Sequence, residues 1–559
     1  MKRSSWLVFL SLLGCQLLLA LSAPAADIYV PSGTITNIQD GIDVASNGDT
    51  VIVADGTYPG RITFDGKLVT VRSDNGPQNC IIDGGDATRG VTFTKGETDQ
   101  AKLEGFTIRN CRFPQGGGIH IESKSSPLIS NCIISQNFSD LEGGGIFCCN
   151  SSPTISNCTI SGNSAACGGG IWLVDNSLPR ITNSIISGNL SVYQGGGISV
   201  AHSSPTIKGC TISGNRAIYA NGGGAIFCNV DSAVTIGSCT IRDNYSGEFG
   251  GGINCGSSVL WIYNTTISGN YAVDSGGAIA FGATSSGVII NCVISGNSSP
   301  GQSSSGNIGS GGIYCFRCFP TIINCSIVGN TSASDHGGGI LSRDSVPTIL
   351  NSIFWGNSPR QIDVHNSIYY PKRAPVVSYS DIQGTYLGTG NTSADPLFVN
   401  AAAGDFHLQS GSPCIDTASN ADAPAADMDG IARPQDGNGD GIAIADMGAY
   451  EFVGPPGLSS IFGNDPSSPE YLPDAAFRNP QNRTALRNKV EAVLQMIQRG
   501  DYQQALDKLQ NDILKKVDGC AVSGAPDSDD WIVDCTYQAI AYQRVTRAIE
   551  ALRVILGEQ

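Results

Sequence analysis

The sequence is poor in charge, and poorest in positive charge. Only 14% of its 559 residues are charged, and 32 basic side chains stand against 48 acidic ones, a net of −16. A chain of this sign repels phosphate backbones, and no run of Lys and Arg reverses the balance locally, which excludes nucleic acid as a partner. Long apolar runs are missing after Leu21, so no later segment is suited to span a membrane. The middle of the chain also lacks the apolar periodicity of helices. What is abundant is small: 71 glycines, about 13% of the chain against roughly 7% in globular proteins. With 40% hydrophobic residues there is material for a large core, unlike a disordered or collagen-like chain.

Residues 1–25 read as an export signal. Lys2 and Arg3 supply the basic start, Trp6 to Leu21 the apolar stretch, and Ala23-Pro24-Ala25 an A-x-A cleavage site. The expectation is a mature protein that is secreted or held at the cell surface, monomeric and without a transmembrane segment.

An internal repeat organises most of the remaining chain. Glycine triplets, or Gly-Gly-Ala, begin at Gly116, Gly143, Gly168, Gly195, Gly222, Gly250 and Gly276, and the series continues at Gly311 and Gly337. A second signature, Pro153-Thr-Ile-Ser-Asn-Cys-Thr-Ile-Ser-Gly-Asn163, returns at Pro205 to Asn215 and Pro320 to Asn330. A period near 26 is too short for a propeller blade and carries no leucine-rich pattern. It predicts an all-β fold, a right-handed parallel β-helix in which each coil makes two or three short strands about 4.8 Å from their equivalents.

Stacked coils predict ladders of equivalent residues. One runs Cys80, Phe106, Cys132, Cys158, Ser184, Cys210, Cys239, Thr265, Cys292, Cys325, Ser352, and a second runs Ile121, Cys148, Leu173, Val200, Cys228, Cys255, Phe281, Cys315, Ser342. Both are small or apolar throughout and are expected inside. Most of the 19 cysteines thereby become packing residues, since a free thiol behaves as a small hydrophobe. Cys315 and Cys318 have metal-site spacing, but Cys315 belongs to a ladder and no second pair completes a site. Cys520 and Cys535, outside the repeat, are the expected disulfide. The series Asn137, Asn163, Asn189, Asn215, Asn244, Asn270, Asn297, Asn330 is expected at a corner, satisfying turn backbone groups.

The entry of the repeat, Ile38-Gln-Asp-Gly-Ile-Asp-Val-Ala45 followed by Gly48-Asp-Thr-Val-Ile-Val-Ala-Asp-Gly-Thr-Tyr58, resembles that of the pectin-lyase-like superfamily, with a short helix capping the open end. Asn270-Tyr-Ala-Val-Asp-Ser-Gly-Gly-Ala-Ile279 is similar to repeats of polymorphic outer-membrane proteins, which implies adhesion, although those end in a membrane barrel and this chain ends in helices. Asp395-Pro-Leu-Phe398, Gly404 to Cys414 and Asp446 to Phe452 resemble the choice-of-anchor module that closes many bacterial β-helices, implying an envelope or extracellular setting. The expected order is a β-helix over 26–400, that module over 401–453, a Pro/Ser/Gly-rich linker over 454–480, and a helical domain over 481–559. Leu486, Val490, Val493, Ile497, then Leu506, Leu509, Ile513, then Val545, Ile549, Leu552 mark three helices there.

Three sets of residues are candidates for chemistry. Asp436, Asn438 and Asp440 alternate like the start of a calcium loop, with Asp446 standing in for the missing acidic ligand at the twelfth position; a solvated acidic turn is the alternative. Phe147, Trp172, Phe227 and Tyr314 follow the isoleucine of the glycine motif, and alternation turns them outward as a stripe able to stack on sugar rings of an extracellular polysaccharide or surface glycan, unless a loop or the tail covers them. Polysaccharide lyases of the resembled superfamily need a basic residue to abstract a proton beside a uronate carboxylate and a cation to neutralise it. Arg109, His120, Glu122 and Lys124 cluster in sequence on the first coils and are the catalytic candidates. The paired aspartates and Gly-His-Gly of β-helical polygalacturonases are absent, His336 lying in Asp-His-Gly-Gly. The reading is an exported polysaccharide-binding protein, a lyase on uronate polymers if it has turnover; the alternative is a non-enzymatic adhesin or structural surface protein.

Overall fold

Each strand of the repeat finds its partner one coil away. In the computed structural model, which describes residues 24–219, 222–301, 309–368, 373–438, 442–453, 472–498 and 501–556, the strands stack into parallel sheets of 14, 12, 13 and 7 strands, here sheets 1 to 4. The ladders keep strict register: Ile160 pairs with Ile186, Ile186 with Ile212 and Ile212 with Ile241 in sheet 3. Their side chains are wholly buried, as are the isoleucines of Ile146, Ile171, Ile198 and Ile226 in sheet 2. Each such burial stabilises by roughly 2 kcal/mol, so the core is a sum of small equal terms repeated along the axis.

Both predicted inner ladders are buried over their whole length. The middle coils differ from expectation in making four strands, because a short fourth sheet runs from Ser164–Cys167 to Thr331–Ser332 between sheets 3 and 2. The asparagine series sits at the entry to this sheet and is buried inside the corner. Asn189 accepts from the backbone N–H of Asn163 at 3.0 Å and from its Nδ2 at 3.0 Å, and its own Nδ2 donates to Ile160 O at 2.9 Å. The same pattern runs from Asn137 to Asn357, where Gln361 ends it. The glycine motif forms the opposite side of the corner. A Cβ on Gly144 would meet Ser164 O at 2.4 Å and Gly169 O at 2.6 Å, so nothing larger fits between coils there.

The open N-terminal end is covered by the helix Ile38–Val44. Asn37 and Asp40 form a capping box, and Lys67 Nζ donates to the carbonyls of Ile42, Asp43 and Ala45 at the other end. Ile38 and Ile42 face the core.

The described residues of 398–453 pack against the flank of the solenoid. Phe406 and Ala449 pack on Val293 and Val328, and Leu408, Cys414 and Met447 pack on Ile353. These partners occupy outward positions of sheet 3; the first of them holds Ile133, Thr159, Ile185, Thr211, Thr240 and Thr266 in earlier coils and Val293 where the module docks. Asn291, Asn324 and Asn351 donate across to Ala426 O, Asp446 O and Ser419 O. Beyond it, the helices Pro480–Gln498, Tyr502–Lys508 and Cys535–Leu556 bury the predicted Leu486, Val490, Val493, Leu506, Leu509, Val545 and Leu552, with a further short helix at Gly519–Ser523. Cys520 and Cys535 are disulfide-bonded, their Cα atoms 5.5 Å apart. No described helix is long and apolar enough to cross a membrane.

Candidate functional site

The solenoid sets Arg109 apart from the other three lyase candidates. Arg109 points outward from sheet 3, its Nε 3.0 Å from Asp83 Oδ2, beside a shallow groove of about 430 Å³ lined by Thr107, Ser135, Gln136 and Ser161. His120 and Glu122 belong to the strand end at sheet 2, on the far side of the asparagine corner. The two ring nitrogens of His120 lie 3.1 Å from Glu122 Oε2 and 3.3 Å from Gln115 O, and the buried ring stacks on Phe147 at 4.9 Å. Burial, helped by the Arg89 cation, depresses its pKa, so it is a neutral packing residue with both nitrogens engaged. Lys124 is exposed just beyond this strand, in the left-handed region at φ 64°. The expected cluster is therefore not assembled: Arg109 works on one face and His120 on another.

The aromatic stripe is also corrected. Phe147, Trp172, Phe227 and Tyr314 do point away from the solenoid interior, yet their exposure is only 4%, 8%, 4% and 7%. Alternation places them outward, but the chain entering the glycine motif doubles back over this face of sheet 2. Cβ positions on Gly116 and Gly168 would fall 3.0 Å from the Cβ atoms of Phe147 and Trp172, and Phe249 stacks on Tyr314 at 6.0 Å. No flat ring face is left for a sugar.

Of the calcium candidates, Asp440 lies outside the described residues. Asp446 is fully buried, and its oxygens accept from the backbone N–H groups of Asp416, at 2.8 Å, and Phe452. Burial, with Glu451 and Asp416 as neighbours, pushes its pKa up to about 8. Asn438 donates its backbone N–H to Asp416 Oδ2 at 2.7 Å, and Asp436 begins the same turn. Among the described residues, the carboxylates that do gather are Asp518, Asp527 and Asp530 in the helical domain. Asp530 there accepts from Gly519 and Asp527 N–H, a structural use.

A different row emerges only in the folded chain. The residue after each ladder asparagine faces outward and, from Ser164 on, opens sheet 4; with Arg112, which follows Cys111, these give Arg112, Phe138, Ser164, Leu190, Arg216, Tyr245, Tyr271 and Ser298 in one register. The Arg216 guanidinium lies 4.5 Å over the Tyr245 ring, and Tyr245 stacks on Tyr271 at 5.6 Å with the planes 7° apart. Arg112 covers Phe138 in the same way at 4.5 Å. Tyr271 is 37% exposed, Tyr219 63%, and Tyr193 and Tyr219 stand in neighbouring coils of the same strip, where Tyr219 N–H donates to Val192 O. After Tyr271 the register places Ser298, so among the described residues one ring face ends the stack against a small neighbour. The signal was present in the sequence as the position following each asparagine, and the sequence analysis missed it.

A family model described as the right handed beta helix region matches residues 33–225 and 196–370. No curated protein matches the chain. Among solved structures, pectate lyase Pel9A is similar at 14% identity and TM-score 0.33, covering 77% of this chain and 97% of that one. PfbA, a surface adhesin of Streptococcus pneumoniae, is similar at 13% identity and TM-score 0.26, covering 62% of this chain and 89% of that one.

Proposed function

Since the chain belongs to the right-handed β-helix family, with a core that fixes the coil and leaves outward rows free to carry function, we propose that it is an exported protein that binds extracellular or cell-surface polysaccharide on sheet 4. The observation that carries this reading is the exposed Arg216–Tyr245–Tyr271 stack. Its rings are held at the coil spacing by the backbone ladder beneath them, so they are ordered before any ligand arrives. A preorganised aromatic face binds a sugar ring without the entropic cost of fixing side chains first. Arg216 donates from the edge of the stack toward ring hydroxyls. Binding of this kind needs no turnover and suits an adhesin as well as a soluble lectin.

The test is retention on immobilised glycans by affinity electrophoresis, comparing the wild-type chain with Tyr245→Ala/Tyr271→Ala. Both rings are at the surface, so the variant keeps its core. The stack leaves one ring face, that of Tyr271, open to a sugar, and its loss at about 1 to 1.5 kcal/mol predicts affinity lower by roughly tenfold. Unchanged retention by the double variant sinks the proposal. The lyase reading rests on the Arg109 groove alone and has its own assay: incubation with uronate polymers and Ca²⁺ while following ultraviolet absorbance of unsaturated product.

A further inference from the structure

The last coil is covered on two of its three sheets. It consists of Ile362–His365 in sheet 2, Val376–Ser378 in sheet 1 and Asp381–Ile382 in sheet 3. The chain then folds back over sheets 1 and 3: Thr389 O accepts from Tyr379 N–H at 2.8 Å, and Thr392 bonds Ser380 O and Ile382 N–H at 2.9 Å each. Among the described residues no strand follows Ile362–His365 in sheet 2. The opposite end of the same sheet is closed, because the helix Ile38–Val44 brings Gln39 onto its first strand, Ile62–Thr63. There Thr63 N–H donates to Gln39 Oε1 at 2.8 Å, and Gln39 Nε2 donates to Thr63 O at 3.2 Å.

Four backbone groups line the edge that stays open. Gln361 O and His365 O accept from Ile340 and Asp344 N–H of the preceding coil at 2.9 and 3.1 Å. The alternation of a parallel ladder therefore turns the N–H and C=O groups of Ile362 and Val364 to the other side, where no described residue bonds to them. Inside, Ile362 and Val364 stack on Ile340 and Ser342, which are wholly buried, yet they themselves are only half-buried. A cavity of about 260 Å³ opens beside Ile362, lined also by Ile382 and Tyr386. Protein edges are commonly blunted by a free charge or a proline. Here the carboxylate of the strand, Asp363, is engaged: Oδ2 is 2.9 Å from His336 Nδ1, and Oδ1 accepts from Arg360 Nη1 at 2.7 Å.

We propose that this edge of sheet 2 is an interaction surface that takes one extended segment of another polypeptide as a further parallel strand. Main-chain hydrogen bonds supply the affinity in such an addition, and alternate side chains supply the selectivity. The chemistry of the guest follows from the joints that sheet 2 already makes, which lay isoleucine on isoleucine, as Ile198 on Ile171 and Ile226 on Ile198. The guest carries one apolar side chain over Ile362, with the cavity to receive it, a second over Val364, and a polar or small residue between them. The segment 389–392 stands one rung above sheets 1 and 3, so the place left is one strand wide. A second copy has no free strand to offer at its N-terminal end, where Gln39 occupies Thr63. The inference stands apart from the glycan reading.

The test is amide hydrogen exchange of the full chain, with a synthetic peptide of the chain's own Gly195-Gly-Gly-Ile-Ser-Val-Ala201 segment as the probe. In the free chain the amides of Ile362 and Val364 should exchange fast. Saturating peptide should slow them about tenfold. With Ile198 over Ile362, the peptide's Ser199 and Ala201 amides donate to Ile362 O and Val364 O, whereas its Ile198 and Val200 amides point away. N-methylation at Ser199 and Ala201 should therefore weaken binding by about tenfold or more, and N-methylation at Ile198 and Val200 should leave it unchanged. Both peptides meet the same folded chain, so the comparison is independent of its stability. Val364→Pro removes one open N–H without touching the ladder to the preceding coil, and should weaken binding likewise. Amides already protected in the free chain would mean that the place is filled from within, and protection that grows with chain concentration alone would hand it to a second copy. Either result overturns the proposal, as does the absence of saturable slowing or equal binding by the two methylated peptides.

Discussion

Asn215 shows how much one residue of the repeat carries. Its Oδ1 accepts from the backbone N–H and Nδ2 of Asn189, and its Nδ2 donates to Ile186 O and Asn244 Oδ1, all between 2.9 and 3.0 Å and all buried. Asn215→Ala removes these partners together and strands the Asn189 N–H and Ile186 O away from water. At roughly 1 to 3 kcal/mol per stranded group, chemical denaturation should give a loss of about 3 to 5 kcal/mol; a loss under about 1 kcal/mol would show that water replaces the amide. The cysteines predict the reverse kind of result. Cys149 and Cys167 are the described thiols that are not fully buried, and desolvation first, then nearby carboxylates, pushes each to about 11. Thiolate is the reactive form, so a chromogenic thiol reagent at pH 8 should react very slowly with the native chain and fully once it is unfolded. Rapid native labelling at Cys149 or Cys167 would contradict the raised pKa of these two thiols.

Residue types that repeat in phase were legible in the sequence, and residues that depend on a covering segment were not. The Cys and Ile ladders could be placed because alternation decides inside from outside. The same rule put Phe147 and Trp172 outward and was right about direction; it carried no information about the strip that doubles back over them. His336 and Asp363 come from successive coils with different offsets from the repeat, so no linear spacing announced that they meet.

Among the elements, the flanking module has the clearest response to pH. His407 in the strand Asp405–Leu408 bridges Asp405 Oδ1 at 2.6 Å and Asp429 Oδ2 at 2.8 Å. Burial works against its charge, but the two carboxylates prevail and raise its pKa above the ordinary value. Asp446, at about 8, is likewise more protonated folded than unfolded. In both cases the native state binds more protons, so stability falls with rising pH. The contribution of Asp446 is present in full below about 4 and is lost progressively as pH rises to about 8; that of His407 is lost as pH rises through its raised pKa. Limited proteolysis within 401–453 should therefore accelerate between pH 6 and pH 9 (about three units that span both groups), and Asp446→Asn should flatten the response. Faster cleavage at the acidic end would reverse the assignment. The side-chain amides of Asn324 and Asn351 that hold the module from the solenoid are independent of pH, and Asn324→Ala/Asn351→Ala should loosen it at every pH.

For the whole molecule, two cores predict two transitions. The solenoid cluster runs from Val30 to Ile382, and the helical cluster from Leu472 to Leu552 is separate from it. A solenoid's stability is close to a sum over neighbouring coils, whereas the small helical unit depends on a few residues and one crosslink. The Cys520–Cys535 bond closes a 15-residue separation, worth about 3 kcal/mol by loop entropy. Reductant should lower one calorimetric transition by several degrees and leave the larger one in place. A single transition that moves as a whole would join the two units.

The asparagine row measures something other than stability. Its links span 26 residues from Asn163 to Asn189, 29 from Asn215 to Asn244 and 33 from Asn297 to Asn330, and the backbone N–H to Oδ1 distance is 3.0, 2.9 and 3.0 Å in turn. The rail is blind to how much chain is looped out between its ties. Surface loops can lengthen, and whole coils can be gained or lost by duplication, without any change to the joint that receives them. The reach of this protein is thus a quantity that varies in steps of one coil, about 4.8 Å each.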